Sequence, residues 1–282
     1  MKKSILLPAA LFVALLGAIF LFFAPRKPQP GTAVVAPVTA PAAEPAAAEP
    51  QYPLTPPPEA ATEQPTKPPA DETAPPQVAA TEDSEVVMAR LLALLRGQAR
   101  SGELLILDHF IPRFVVTVDN LAGKDLSRKQ LPVKGASGPF LVHNSAEGEG
   151  IHPDNARRYS AFVALAEALD SRELVDLYVR LYPEFQKAYE NLGQPKAYFN
   201  DRLIAVIDHL LATPEPTEPI RLHRPKILYQ FADPDLEERG AGQKILLRVG
   251  ADNRARLKAK LQSLRAELLT RVIAPAVEKT EP

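Results

Sequence analysis

Cysteine and tryptophan are absent from this chain of 282 residues, and methionine occurs only twice. Without a thiol there is no disulfide, no thiolate nucleophile or metal ligand, and no residue to carry a lipoprotein lipid. Excess charge is missing too, since 33 basic and 34 acidic side chains leave a formal net charge of −1. So balanced a chain lacks the basic field of a bulk nucleic-acid binder, and no nucleic-acid partner is expected. The serines offer no Gly-x-Ser-x-Gly elbow, so that route to a nucleophile is missing as well.

What is present is a clear order of parts. Basic Met1-Lys2-Lys3 precedes an uncharged apolar run from Ile5 to Ala24. As a helix, roughly 20 such residues span a hydrocarbon core of about 30 Å. A cleaved signal peptide shares the basic start but needs a shorter apolar stretch and small residues before the cleavage point. Here Phe20-Leu21-Phe22-Phe23 stands before Ala24-Pro25, and the expectation is an uncleaved transmembrane signal anchor over residues 1–27. Lys2 and Lys3 on one flank nearly balance Arg26 and Lys27 on the other. The short basic leader is read as cytoplasmic, which makes the protein single-pass in a bacterial inner membrane with its C-terminal domain in the periplasm.

Residues 28–83 are rich in proline and alanine, as in Ala36-Pro37-Val38-Thr39-Ala40-Pro41 and Pro53-Leu54-Thr55-Pro56-Pro57-Pro58. Such segments lack apolar periodicity and backbone donors, so they read as a disordered, solvated linker that favours polyproline II. The roughly 59 residues from Pro25 to Asp83 reach about 180 Å fully extended and average about 40–45 Å as a flexible coil.

Residues 84–275 have the composition of one globular domain, followed by a disordered tail over 276–282. Val86, Val87, Leu91, Leu94 and Leu95 give a helix to about Gln98, with Asp83 and Ser84 as cap candidates. The β-branched run Arg113-Phe114-Val115-Val116-Thr117-Val118, closed by Asp119-Asn120, predicts a strand. Phe140-Leu141-Val142-His143 is a second strand candidate, with a long loop between them.

From Asp154 onward the period is helical. Tyr159, Phe162, Val163, Ala166 and Leu169 form one stripe, and Asp170 with Glu173 opens a second helix carrying Leu174, Leu177, Tyr178 and Leu181. Pro183 breaks or kinks it, and Gly193 stops the turns that follow. Further helices are expected over about 195–212, 234–249 and 252–272, with an extended Arg221–Phe231 stretch lying against them. The predicted fold class is mainly α (α+β), a helical domain with a small antiparallel β element.

Eight blocks stand in order along this domain: Val118-Asp119-Asn120-Leu121, Asp154-Asn155-Ala156-Arg157-Arg158-Tyr159, Leu181-Tyr182-Pro183, Ala188-Tyr189-Glu190-Asn191-Leu192-Gly193, Tyr198-Phe199-Asn200-Asp201-Arg202, Ile207-Asp208-His209-Leu210-Leu211, Leu228-Tyr229-Gln230-Phe231-Ala232-Asp233-Pro234 and Gly242-Gln243-Lys244-Ile245-Leu246-Leu247-Arg248. In this order they resemble the bacterial envelope family catalogued as domain of unknown function 3014. The resemblance implies one N-terminal membrane segment and a low-complexity linker. It brings no activity, cofactor or catalytic residue that can be carried over.

Candidate chemistry is therefore judged on the residues. Asp108-His109 and Asp208-His209, with His152 or His223, are conceivable metal ligands, but their spacing matches no ligand pattern and they read as helix-face histidines beside solvated aspartates. Asp233, Asp235, Glu237 and Glu238 read as helix-start charges. Asp154, Asn155, Arg157, Arg158 and Tyr159 gather cap, guanidinium and phenol at one helix start, and with Tyr198, Asn200, Asp201 and Arg202 they are candidates for binding an anionic or glycan-like ligand. An internal network that fixes helix packing explains them as well. The last helix presents Leu257, Leu261, Leu264 and Leu268 between Arg254, Lys258 and Arg265, a face for its own domain, a partner helix or anionic lipid.

No catalytic residue, metal ligand or cofactor site is assigned. The sequence points to a non-catalytic interaction or scaffold module with an envelope-protein or cell-wall partner, and the alternative is an envelope hydrolase acting on a cell-wall or glycan substrate. A reporter fused after Asp83 is expected to be active only in exported form, with the N-terminus retained. Recovery of a chain beginning near Pro25, or activity confined to the cytoplasm, would contradict the anchor.

Overall fold

The computed structural model describes residues 49–54, 81–98, 100–146 and 148–272. The apolar run of the expected anchor, most of the linker and the C-terminal tail lie outside them. Among the described residues no helix is long and apolar enough to cross a membrane.

Helix α1 (Thr81–Gly97) and the one-turn α2 (Ser101–Leu104) lead into α3 (Phe110–Leu121). The strand expected over 113–118 is thus a helix. Phe110, Ile111, Phe114, Val115, Val118 and Leu121 are all buried, and spacings of one, three and four put them on one helical face. Burying that face outweighs the modest helix penalty of β-branched residues, about 0.5 kcal/mol each. The Asp119-Asn120 pair does not turn the chain, because Asn120 instead donates to the Val116 carbonyl one helical turn back.

A loop with a 3-10 turn at Arg128–Gln130 crosses to the hairpin β1 (Val142–Ser145) and β2 (Gly148–Ile151), paired antiparallel from Val142↔Ile151 to Ser145↔Gly148. Four helices follow: α4 (Asn155–Glu167), α5 (Ser171–Arg180), α6 (Tyr182–Glu190) and α7 (Phe199–Leu211). Asp170 caps α5 by accepting from the Glu173 N–H at 3.0 Å, as the capping pattern predicts. Pro183 stands in the first turn of α6, where its missing donor costs nothing. Gly193 takes φ 91° beyond that helix, a left-handed conformation that side chains resist. Helix α7 begins at Phe199 and not near Pro195.

The Arg221–Phe231 stretch expected to run extended instead bends over 225–228 and doubles back, so that β3 (Leu222–His223) pairs with β4 (Gln230–Phe231), joined to the first hairpin by a Gly150↔Arg221 bridge. The helix expected over 234–249 is two pieces, α8 (Pro234–Glu237) and α9 (Ala241–Arg248), before the long α10 (Ala251–Thr270). The break comes at Gly240, which is extended at φ −60°, ψ 156° and lets the Ala241 N–H reach the Gly123 carbonyl at 2.7 Å.

One main core joins α1 to α7 with α9 and α10, and a smaller one of Ile151, Ile220, Leu222, Phe231, Leu236 and Leu247 lies under the hairpins. Leu257, Leu261, Leu264 and Leu268 of α10 are buried in the main core, so that stripe packs onto its own domain, against α4, α5 and α7. The mainly α class with a small antiparallel β element holds.

A Cβ at Gly240 would stand 2.8 Å from the Ala122 carbonyl oxygen and 2.6 Å from His209 Nε2. Alanine suits the backbone angles there but not the space, so Gly240→Ala should cost about 1–3 kcal/mol. Gly97→Ala, with nothing within 4 Å of its Cβ, should be neutral or stabilising by under about 1 kcal/mol. Urea denaturation of the two variants checks the contrast.

Candidate functional site

The polar candidates fall at the starts of two helices. At α4, Asn155 is buried and clasps the incoming strand: it accepts from the Leu141 N–H at 2.9 Å and donates to the Leu141 and His152 carbonyls at 2.5 and 3.0 Å. Arg158 donates to the Ser137 carbonyl at 3.1 Å, the Gly138 carbonyl at 2.9 Å and the Tyr159 hydroxyl at 3.2 Å. Its guanidinium also lies 5.4 Å from the Tyr159 ring centre. Burial raises the Tyr159 phenol's pKa, with the Arg158 and Arg248 charges opposing it. Asp154 and Arg157 form a looser pair at 3.4 Å, with Arg157 exposed. This end of α4 holds the long loop and the hairpin onto the helix.

The start of α7 has different partners. Asn200 is buried and accepts from the Tyr178 hydroxyl at 3.2 Å, which leaves its Nδ2 to donate to the Tyr52 carbonyl at 2.8 Å. Asp201 accepts from the Gln51 N–H on one carboxylate oxygen and the Tyr52 N–H on the other, both at 2.8 Å. Arg202 donates to the Asp119 carboxylate at 2.8 Å and to the Asp119 carbonyl, tying α7 to α3. Tyr198 caps this helix with its backbone extended. Burial lifts the Tyr178 hydroxyl well above the usual phenol range and pushes Tyr182 up to about 12.

Among the described residues no hydrogen bond or ion pair joins the two groups. The polar set is two clusters, and Asn155 organises the first, standing directly after Asp154 at a helix start where short polar side chains bond to nearby backbone. The clasp on residues 51–52 was missed, and the linker read over 28–83 is interrupted by that docked segment.

The aspartate–histidine pairs do not converge. His109 precedes the first turn of α3 and forms an exposed 3.6 Å pair with Asp108, whereas His209 lies beside Gly240 and Ala122, past the other end of α3. A helix of this length separates its ends by about 18 Å. Asp208 accepts from Arg265 at 2.5 Å, and burial lowers the His209 pKa, with Arg202 and Arg239 adding to it. Among the described residues no three His, Asp or Glu side chains are grouped to hold a metal ion. A cleft of about 530 Å³ lies between the hairpins and the 216–221 segment, with His143, Glu149, Arg221 and Asp233 in its lining.

The class defined by this architecture is a mainly helical α+β domain whose helix starts grip loops and chain segments. A family model described as Protein of unknown function (DUF3014) matches residues 110–265, more than half of the chain, and the chain belongs to that family. Comparison with curated proteins and with solved structures finds no match.

Arg158 is half-buried and satisfies carbonyls, so removing it strands no carboxylate. Arg158→Ala should lower stability by about 1–3 kcal/mol, less than the loss of one member of a buried ion pair. A melting temperature that stays unchanged while a ligand or partner is lost would instead make Arg158 a recognition residue.

Proposed function

We propose that this protein is a membrane-anchored envelope protein whose domain is a non-catalytic interaction or scaffold module displayed in the periplasm. The observation that carries this reading is the fate of five cations of the domain, which end on its own backbone and carboxylates. Arg158 braces the 137–138 loop, Arg202 ties α7 to Asp119, Arg265 ties α10 to Asp208, and Arg254 and Lys258 hold Glu215 at 2.7 and 2.6 Å. Charge used this way stiffens a platform, whereas acid–base catalysis needs groups converging on an open cleft. The apolar run Ile5–Ala24, the basic leader and the proline-rich tract supply the anchor and the tether.

One observation favours the alternative, an envelope hydrolase acting on a cell-wall or glycan substrate. The hairpin cleft is lined by Glu149, Asp233 and His143, residue types that general acid–base hydrolysis employs. Its carboxylates also have structural duties, for Glu149 accepts from the Tyr229 hydroxyl at 3.2 Å and Asp233 caps α8 by accepting from the Asp235 N–H at 2.9 Å.

In-cell crosslinking of the full-length protein with mass spectrometry separates the readings. A scaffold captures the same envelope protein in the native form and in the Glu149→Gln, Asp233→Asn double variant. Cell-wall fragments that accumulate on the double variant and are cleaved by the native protein would establish the hydrolase.

A further inference from the structure

Residues 49–54 belong to the proline-rich tract by composition, yet they lie against the domain. Asp201 receives two consecutive backbone N–H groups, those of Gln51 and Tyr52, and Asn200 donates to the Tyr52 carbonyl. Leu54 forms an antiparallel bridge with Val272, just past α10, and both Tyr52 and Leu54 pack against the main core. All three hydrogen bonds read the peptide backbone, and the two to the carboxylate are charge-assisted. The donor is aligned in advance because Tyr178, itself buried, holds Asn200 by its other amide atom. Between residues 28 and 80, Tyr52 is the only aromatic residue and Leu54 the only leucine, so the docked stretch is where this tract carries the apolar groups that docking buries.

We infer that the start of α7, with Val272, is a binding site for an aromatic–proline–aliphatic peptide bent at its aromatic residue, filled in this chain by its own Tyr52-Pro53-Leu54, which latches the tether to the domain. The bend turns two successive N–H groups to one carboxylate, and the bridge at Leu54 adds the backbone pairing by which domains take peptides. A ligand on a flexible linker meets its site at about millimolar effective concentration, so a dissociation constant near or below about 1 mM for the detached peptide suffices to keep the latch closed. Closure shortens the tether. On polyproline geometry, the reach from the apolar run falls from about 180 Å to about 75 Å, because only some 24 residues, Pro25 to Ala48, lie between it and Glu49.

The chain has no tryptophan, so Tyr52→Trp in the full-length, detergent-solubilised protein gives a single indole at the latch, excited selectively over the tyrosines. Its fluorescence is expected to be blue-shifted and protected from iodide. Adding Asp201→Ala removes both charge-assisted bonds and should raise the released-to-docked ratio at least about tenfold, with helical circular dichroism unchanged. Hydrogen exchange at Gln51 and Tyr52 in the unaltered tether should rise in parallel when Asp201→Ala is introduced alone. A synthetic peptide spanning residues 47–57 should bind the protein whose residues 50–54 are replaced by Gly-Ser repeats, and should fail to bind once Asp201→Ala is added. An introduced indole as quenchable as that of a free peptide, or one still protected without Asp201, overturns the inference. So does a dimer in which the segment of one copy fills the site of the other. None of these outcomes touches the anchoring or the crosslinking by which the scaffold reading is judged.

Discussion

The placement of Phe199 is the constraint on which the polar architecture of α7 depends. Its ring is fully buried, stacks on Phe185 at 5.9 Å and 4°, meets Phe114 edge-on at 6.2 Å, and touches Tyr178 and Tyr189. Because Phe199 is the first residue of α7, the aromatic cluster sets both the height and the rotation of the helix start. Successive residues then diverge by about 100° around the axis. Asn200 turns inward to Tyr178, Asp201 outward to the backbone of residues 51–52, and Arg202 sideways to Asp119.

Helix α10 applies a similar logic with charge. Its leucines face the core, while Arg254, 1% exposed, reaches Glu215 at 2.7 Å and Glu218 at 3.6 Å on the proline-rich crossing after α7. Burial raises the pKa of the Glu215 carboxyl, but Lys258 and Arg254 outweigh it and hold the group below the usual carboxylate range. A buried cation is costly unless paired, so the crossing is drawn onto the helix by the charge beneath it. Arg248 at the end of α9 is handled differently, with its guanidinium 4.4 Å from the Phe231 ring centre, which couples α9 to the hairpin layer.

Helices with clean apolar stripes were legible in the sequence, since Tyr159 to Leu169 and Leu257 to Leu268 repeat at helical spacing and all those named are buried. The segment 113–118 was misread because Val115, Val116, Thr117 and Val118 carry strand propensity locally, while its helical face appears only when Phe110, Ile111 and Leu121 are counted with it. The break at Gly240 was invisible because its cause is a neighbour distant in sequence, the Ala122–Gly123 backbone. For the same reason, residue types alone gathered the polar candidates into one cluster. Their separation depends on which loops the two helix starts face. The docked segment had one local sign, a tyrosine and a leucine alone in a tract of proline and alanine.

The Leu54↔Val272 bridge brings the incoming chain to the spot where the last helix ends. A pull arriving through the residues before Glu49 therefore meets the three hydrogen bonds to residues 51–52 and this short bridge before it loads the core of any helix. Such contacts give way singly, while the aromatic core yields only as a unit. Tension applied to the chain before Glu49 would thus be spent on releasing this segment, and the helical body would stay folded while it lets go.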